Sequence, residues 1–348
     1  MRERGSVHLG RGNGLPPPGV AAKESRAHIR AADSRLNWNV FLRLNARLLA
    51  PLLCALALVG CAPLYVVHPA RTPALNLNGP PPDIVIFSMS GRCAPPCLAP
   101  RDNWDYLGSR GTLDRLADVF TAAGYRAQVS GYASNAAATF SSEYIGGPQR
   151  GYEALHSDFA RVAATWMKLA RPPRLVLLGH SQGSVWLHHL SRVNPEVPVA
   201  LQVDLDGICV AWKSDFGAGI RALEGKYGSE PSPLHACDAF SVAGRTVGVK
   251  DIVWPNVARG LEVQSKRLPA RPGLSGGWPV NYLFELTPNV RLDGSRGGIE
   301  RFVSSREDHS AISYPNSDAL AWVAGRAAAI AREWRVEDAR QDRTKLGR

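Results

Sequence analysis

Leu175-Val176-Leu177-Leu178-Gly179-His180-Ser181-Gln182-Gly183 is the stretch on which the fold turns. Four consecutive apolar residues suit a strand buried on both faces, and from Val185 to Val193 the spacing becomes helical. Between them stands Gly179-x-Ser181-x-Gly183. Small residues on either side of Ser181 let the backbone swing sharply from strand to helix without a clash. Such a turn lifts the hydroxyl above the sheet edge and leaves the Gln182 N–H at the helix N-terminus, where a developing negative charge can be bound. A strand-to-helix turn without chemistry is the plain alternative. A phosphate loop is excluded, because the lysine it requires is missing.

Working outward, the chain alternates. Asp83 to Ser88 reads as a short buried strand, Thr112 to Ala123 as a helix stopped by Gly124, and Tyr125 to Gly131 as a second strand. A longer helix is predicted over 150–170, with Leu155, Phe159, Val162, Trp166 and Leu169 on one face and Pro172-Pro173 beyond it. Val199 to Leu205 reads as another strand. This alternation predicts an α/β fold with a mostly parallel central sheet and helices on both faces. Beyond residue 207 the rhythm loosens. Thr246–Val249, Leu261–Ser265 and Tyr282–Leu286 are strand candidates, and a last helix is predicted over 317–335, with Leu320, Val323, Ala327, Ile330 and Trp334 on one face.

With Gly179–Gly183 set between strand and helix, residues 83–335 resemble the α/β-hydrolase superfamily, the lipases and esterases in particular. The resemblance implies ester or thioester cleavage through an acyl-enzyme, with neither metal nor cofactor, and with a small-molecule or lipid ester as substrate. Ser181 would be the nucleophile, Gln182 one oxyanion donor, and Met89, in the loop after the first strand, the other. The family order of serine, acid, histidine points to His309, in a polar loop before the last helix. His188 and His189 ride the helix after Ser181 and read as packing or surface residues, and His235 as structural. The acid is open. Asp206 follows Ser181 by one helix and one strand; Asp251 begins an Asp-Ile-Val-Trp-Pro segment that resembles a recurrent hydrolase element; Asp204 and Asp293 are further candidates. The reading leans to Asp206. The segments 132–151, with Tyr144 and Ile145, and 208–245, with Trp212 and Phe216, could wall a substrate pocket or equally well cover the core. An acyltransferase, or a hydrolase scaffold retained for binding, would share these features.

The 348-residue chain carries a formal charge of +11, but the excess is local: residues 1–60 hold nine of the 41 Lys and Arg and three of the 30 acids. The remainder is nearly balanced and has no basic stripe with interleaved aromatics, which argues against nucleic acid. The 13 apolar residues 48–60, behind Arg43 and Arg47, are too few to cross a bilayer, which takes about 20. They read instead as a signal segment. Its end, Leu58-Val59-Gly60-Cys61, resembles the bacterial lipobox, which implies cleavage before Cys61 and acylation of its thiol. Ala62 then favours the outer membrane. The expected organisation is a disordered or misassigned leader over 1–39, a signal peptide over 40–60, a linker over 61–82, the hydrolase domain over 83–335 and a polar tail over 336–348. Of the six cysteines, Cys93 and Cys97 could close a local loop, leaving Cys209 to pair with Cys237; two disulfides fit an oxidising compartment. A zinc site at Cys93 lacks partners at the required spacing.

Overall fold

The computed structural model describes residues 69–93, 97, 100–227, 231–269, 276–279 and 287–346. The expected leader, the signal segment, Cys61 and the strand candidate Tyr282–Leu286 lie outside these residues. Among the described residues no helix is long and apolar enough to cross a membrane.

Seven strands form the central sheet: β1 (Ile84–Ser90), β2 (Ala127–Ala133), β5 (Arg174–His180), β6 (Leu201–Leu205), β9 (Gly260–Pro269), β10 (Gly276–Pro279) and β11 (Ile299–Asp308). The order runs β2-β1-β5-β6-β9, with β11 on β9, and all these pairs are parallel; β10 pairs antiparallel with the far end of β9. Alternation along the strands feeds two cores. Ile84 and Ile86 of β1, Val176 and Leu178 of β5, and Leu201 and Val203 of β6 pack under α1 (Thr112–Ala122) and α5 (Asp318–Leu346). Val85, Phe87, Leu175 and Leu177 point the other way, against α2 (Tyr152–Ala164), α3 (Gln182–Val193) and α4 (Trp212–Tyr227). Each such side chain contributes about 1.5–3 kcal/mol by leaving water, so a doubly buried strand must be apolar on both sides. The result is an α/β-hydrolase fold.

Several expectations shift. The helix predicted over 150–170 stops at Ala164 and gives way to a 3-10 turn, Trp166–Lys168. The last helix continues to Leu346, through most of the expected polar tail, and its predicted face does pack: Leu320, Val323, Ala327, Ile330 and Trp334 are all buried. The described part of the expected linker pairs with the edge of β2, where Leu75 N–H donates to Val129 O at 2.8 Å and Val129 N–H to Pro73 O at 3.0 Å. Such cover blunts an otherwise open sheet edge. Thr246–Val249 contributes to a separate hairpin of β7 (Ala239–Val242) and β8 (Arg245–Gly248), whereas Leu261–Ser265 lies in β9 of the main sheet. Segment 132–151 contains another hairpin, β3 (Thr139–Ser142) with β4 (Gly147–Arg150). Trp212 and Phe216 are not pocket walls. They are 2% and 1% exposed, with rings 4.6 and 5.3 Å from that of Trp186 in the core. Cys93–Cys97 and Cys209–Cys237 are disulfide-bonded.

Candidate active site

Ser181 sits between β5 and α3 with φ 58° and ψ −131°. A non-glycine residue in such a conformation costs on the order of 1–3 kcal/mol and persists where its surroundings impose it. The surroundings here are close. A Cβ on Gly179 would come within 2.5 Å of Ser184 Cα, and one on Gly183 within 1.9 Å of the Met89 carbonyl oxygen. A Cβ on Gly91, in the loop after β1, would lie 2.4 Å from Ser181 Cβ and 2.9 Å from its Oγ. All three glycines are therefore steric requirements of the turn, and Gly91 brings the β1 loop onto the serine.

His309 directly follows β11. Its loop is held from both sides: Asp308 Oδ1 accepts the Ser310 and Ala311 N–H groups at 2.9 and 2.8 Å, and the Glu307 carboxylate accepts the first two N–H groups of α5, at Asp318 and Ala319. His309 Nδ1 donates to Asp206 Oδ2 at 2.8 Å, so the lone pair of the neutral ring falls on Nε2. Asp206 directly follows β6 at φ 53° and is 3% exposed. The Ser265 N–H (3.1 Å) and hydroxyl also donate to its carboxylate. The His309 ring lies 4.6 Å from that of His180, the residue before Ser181. The fold thus gathers Ser181, His309 and Asp206 at the C-terminal ends of β5, β11 and β6.

The other carboxylates are engaged elsewhere. Asp251 stands in a 3-10 turn with its Oδ1 2.6 Å from Lys250 Nζ, both buried. Asp204 Oδ2 meets His188 Nε2 and Asn289 Nδ2, each at 2.9 Å. Asp293 is at a surface turn and accepts the Ser295 N–H. His188 and His189 are core residues. Burial alone would lower the His188 pKa, but the Asp204 carboxylate raises it above the usual value, while burial takes His189 down to about 3. His235 is half-exposed beside Asp238.

The two expected oxyanion donors fare differently. Gln182 opens α3, so its N–H lies at the positive end of the helix, and its side-chain amide is tied to Val210 O (2.7 Å) and Asp215 (3.1 Å). Met89 lies inside β1, paired with Tyr132 on one side and Gly179 on the other, and turns its carbonyl toward Gly183. It is a ladder residue. Past the strand, Gly91 N–H donates to Tyr106 Oη at 2.7 Å and Cys93 N–H to Asn103 Oδ1 at 3.0 Å. The N–H between them, that of Arg92, has no acceptor among the described residues. The sequence signal for it is the Gly91-Arg92 pair just past the first strand.

Beside Asp206 the sheet face under α3 is polar, with Gln202 and Asp204 of β6 and Glu262 and Gln264 of β9 all buried. Asp204, Glu262 and Gln264 border a cavity of about 10 Å³, room for one water. Burial pushes the Glu262 carboxyl up to about 7. An acid with a raised folded pKa binds more protons folded than unfolded, so this group lowers stability as pH rises from about 4.5 to about 7. Glu262→Gln keeps an acceptor for Asn289 N–H and removes the charge. It is expected to melt higher than the parent at pH 8, by on the order of 3 kcal/mol at most, and to match it near pH 4. Parallel melting curves across that range would refute the assignment.

No protein-family model matches this chain, and no curated relative matches it. Solved structures do overlap it. The hyperthermophilic esterase from the archaeon Pyrobaculum calidifontis gives a TM-score of 0.37 at 14% identity, covering 74% of this chain and 78% of that one. A monoclinic form of Pyrobaculum calidifontis esterase gives 0.37 at 13% identity, covering 80% and 90%. At such identity and TM-score the overlap adds nothing on chemistry, which rests on the geometry of this chain's own residues.

Proposed function

We propose that this protein is a serine hydrolase that cleaves carboxylic esters or thioesters through an acyl-enzyme. The observation that carries this reading is the Asp206–His309 pair held beside a serine in a strained strand-to-helix turn. Ser181 Oγ attacks the substrate carbonyl while His309 Nε2 takes its proton. Asp206, acceptor from Nδ1–H, fixes the tautomer and stabilises the imidazolium. The oxyanion is met by the N–H groups of Gln182 and Arg92, donors set before the charge develops and worth several kcal/mol in water-poor surroundings. His309 then protonates the leaving alcohol or thiol, and water repeats the sequence on the acyl-enzyme. The two disulfides fit activity in an oxidising compartment.

A series of p-nitrophenyl esters of graded acyl length, run with and without an added alcohol, tests the reaction class. Burst kinetics with the free acid as the main product are expected. Acyl transfer to the alcohol in preference to water would make the protein a transferase, and no turnover across the series would remove the catalytic reading.

A further inference from the structure

We infer that Tyr106 and His180 are positioning residues whose side chains tie the oxyanion loop to the main chain of the base. This rests on the proposed function and adds two residues to it. The chain of bonds has one direction. At one end Gly91 N–H, which can only donate, reaches Tyr106 Oη at 2.7 Å. At the other, the His309 carbonyl, which can only accept, lies 2.7 Å from His180 Nε2. His180 Nε2 must therefore carry the ring proton, and Nδ1 must accept. Tyr106 Oη lies 2.5 Å from that Nδ1 and supplies its own proton there, having already accepted from Gly91.

The chain is buried and braced. Tyr106 and His180 are 2% and 3% exposed, and the Arg110 guanidinium stacks over Tyr106 at 4.5 Å and over Tyr314 at 4.4 Å. Burial first, and then the neighbouring His309, hold His180 well below the usual histidine range, so the ring stays neutral. The groups facing it are Tyr106, Arg110 and His309, and none is an acid. Gly91 touches Ser181 and precedes the Arg92 donor, while the His309 carbonyl belongs to the residue that takes the serine proton. Two loops far apart in sequence, which must hold fixed positions in the same transition state, are thus linked by two side chains. Displacing either by a fraction of an ångström acts on the transition state more than on substrate binding.

The experiment has two arms, both on the full chain. In the first, ¹⁵N-histidine spectra are expected to show one ring, assigned to His180 by its loss in His180→Gln, protonated on Nε2 and bare on Nδ1 from pH 5 to pH 8. A ring protonated on Nδ1, or one that titrates in that range, would overturn the chain. In the second, Tyr106→Phe is expected to lower kcat by ~10–100-fold with KM within about twofold. His180→Gln, whose amide can still donate to the His309 carbonyl, is expected to retain at least about tenfold more kcat than His180→Ala. Unchanged kcat in Tyr106→Phe, a loss confined to KM, or equal losses in the two His180 variants would overturn the positioning role. A parent protein inert to esters and to a fluorophosphonate would overturn the hydrolase reading and the positioning role together. The spectra would still decide the hydrogen-bond chain by itself.

Discussion

Ser181→Ala is expected to abolish labelling by a fluorophosphonate probe and to lower ester turnover by ~10⁶-fold, leaving a residual ~10³–10⁴ over water from the oxyanion donors and binding. Without Oγ no acyl-enzyme forms, however well His309 and Asp206 are placed. The backbone offers a control on folding. Residue 181 lies at φ 58°, where a side chain is strained and glycine is not. Ser181→Gly is therefore expected to be equally inactive and to melt no lower than Ser181→Ala. Retained labelling in either variant would rule out Ser181 as the nucleophile, and an unlabelled parent would favour a binding role for the scaffold.

The second large effect concerns the acid. Asp206→Asn is expected to lower kcat by ~10⁴-fold, because an amide facing His309 Nδ1 no longer enforces the tautomer or offsets the imidazolium charge. The Ser265 N–H can still donate to the amide oxygen and the Ser265 hydroxyl can turn to accept from the amide nitrogen, so the fold should hold, as circular dichroism would show. Asp251→Asn should behave in the opposite way. It removes the carboxylate 2.6 Å from a buried ammonium, which costs on the order of 3–5 kcal/mol, and leaves kcat of the folded fraction within about tenfold. A catalytic loss in Asp251→Asn with none in Asp206→Asn would reverse the assignment of the acid.

Much of the fold was legible because the apolar runs are unambiguous. Ile84–Phe87 and Leu175–Leu178 are unbroken apolar runs and the face Leu320–Trp334 follows the helical period, and each is buried as its pattern requires. β11 was not legible. Its sequence, Ile299-Glu300-Arg301-Phe302-Val303-Ser304-Ser305-Arg306-Glu307-Asp308, has neither alternation nor an apolar run, and it becomes a strand because β9 offers an edge to pair with. Trp212 and Phe216 were misplaced for a related reason: an aromatic in a loop-like segment serves a pocket wall and a core equally well, and the packing around Trp186 decides between them.

The site divides along the same line. By itself the sequence determined the turn, since two glycines around Ser181 between an apolar strand and a helix leave the backbone one compact way through, and that constraint is local. The resemblance to the hydrolases, with its order of serine, acid and histidine, pointed to His309 in a polar loop late in the chain. Which carboxylate meets that histidine was decided by tertiary structure, because β9 rather than β8 joins the central sheet beside β6; Asp206 then faces His309 across the strand ends, and Asp251 falls outside with Lys250. The proposal of the Arg92 N–H in place of Met89 as second oxyanion donor likewise rests on tertiary structure. Pairing on both sides commits Met89 to the sheet, and a backbone group can serve an oxyanion once the strand has ended.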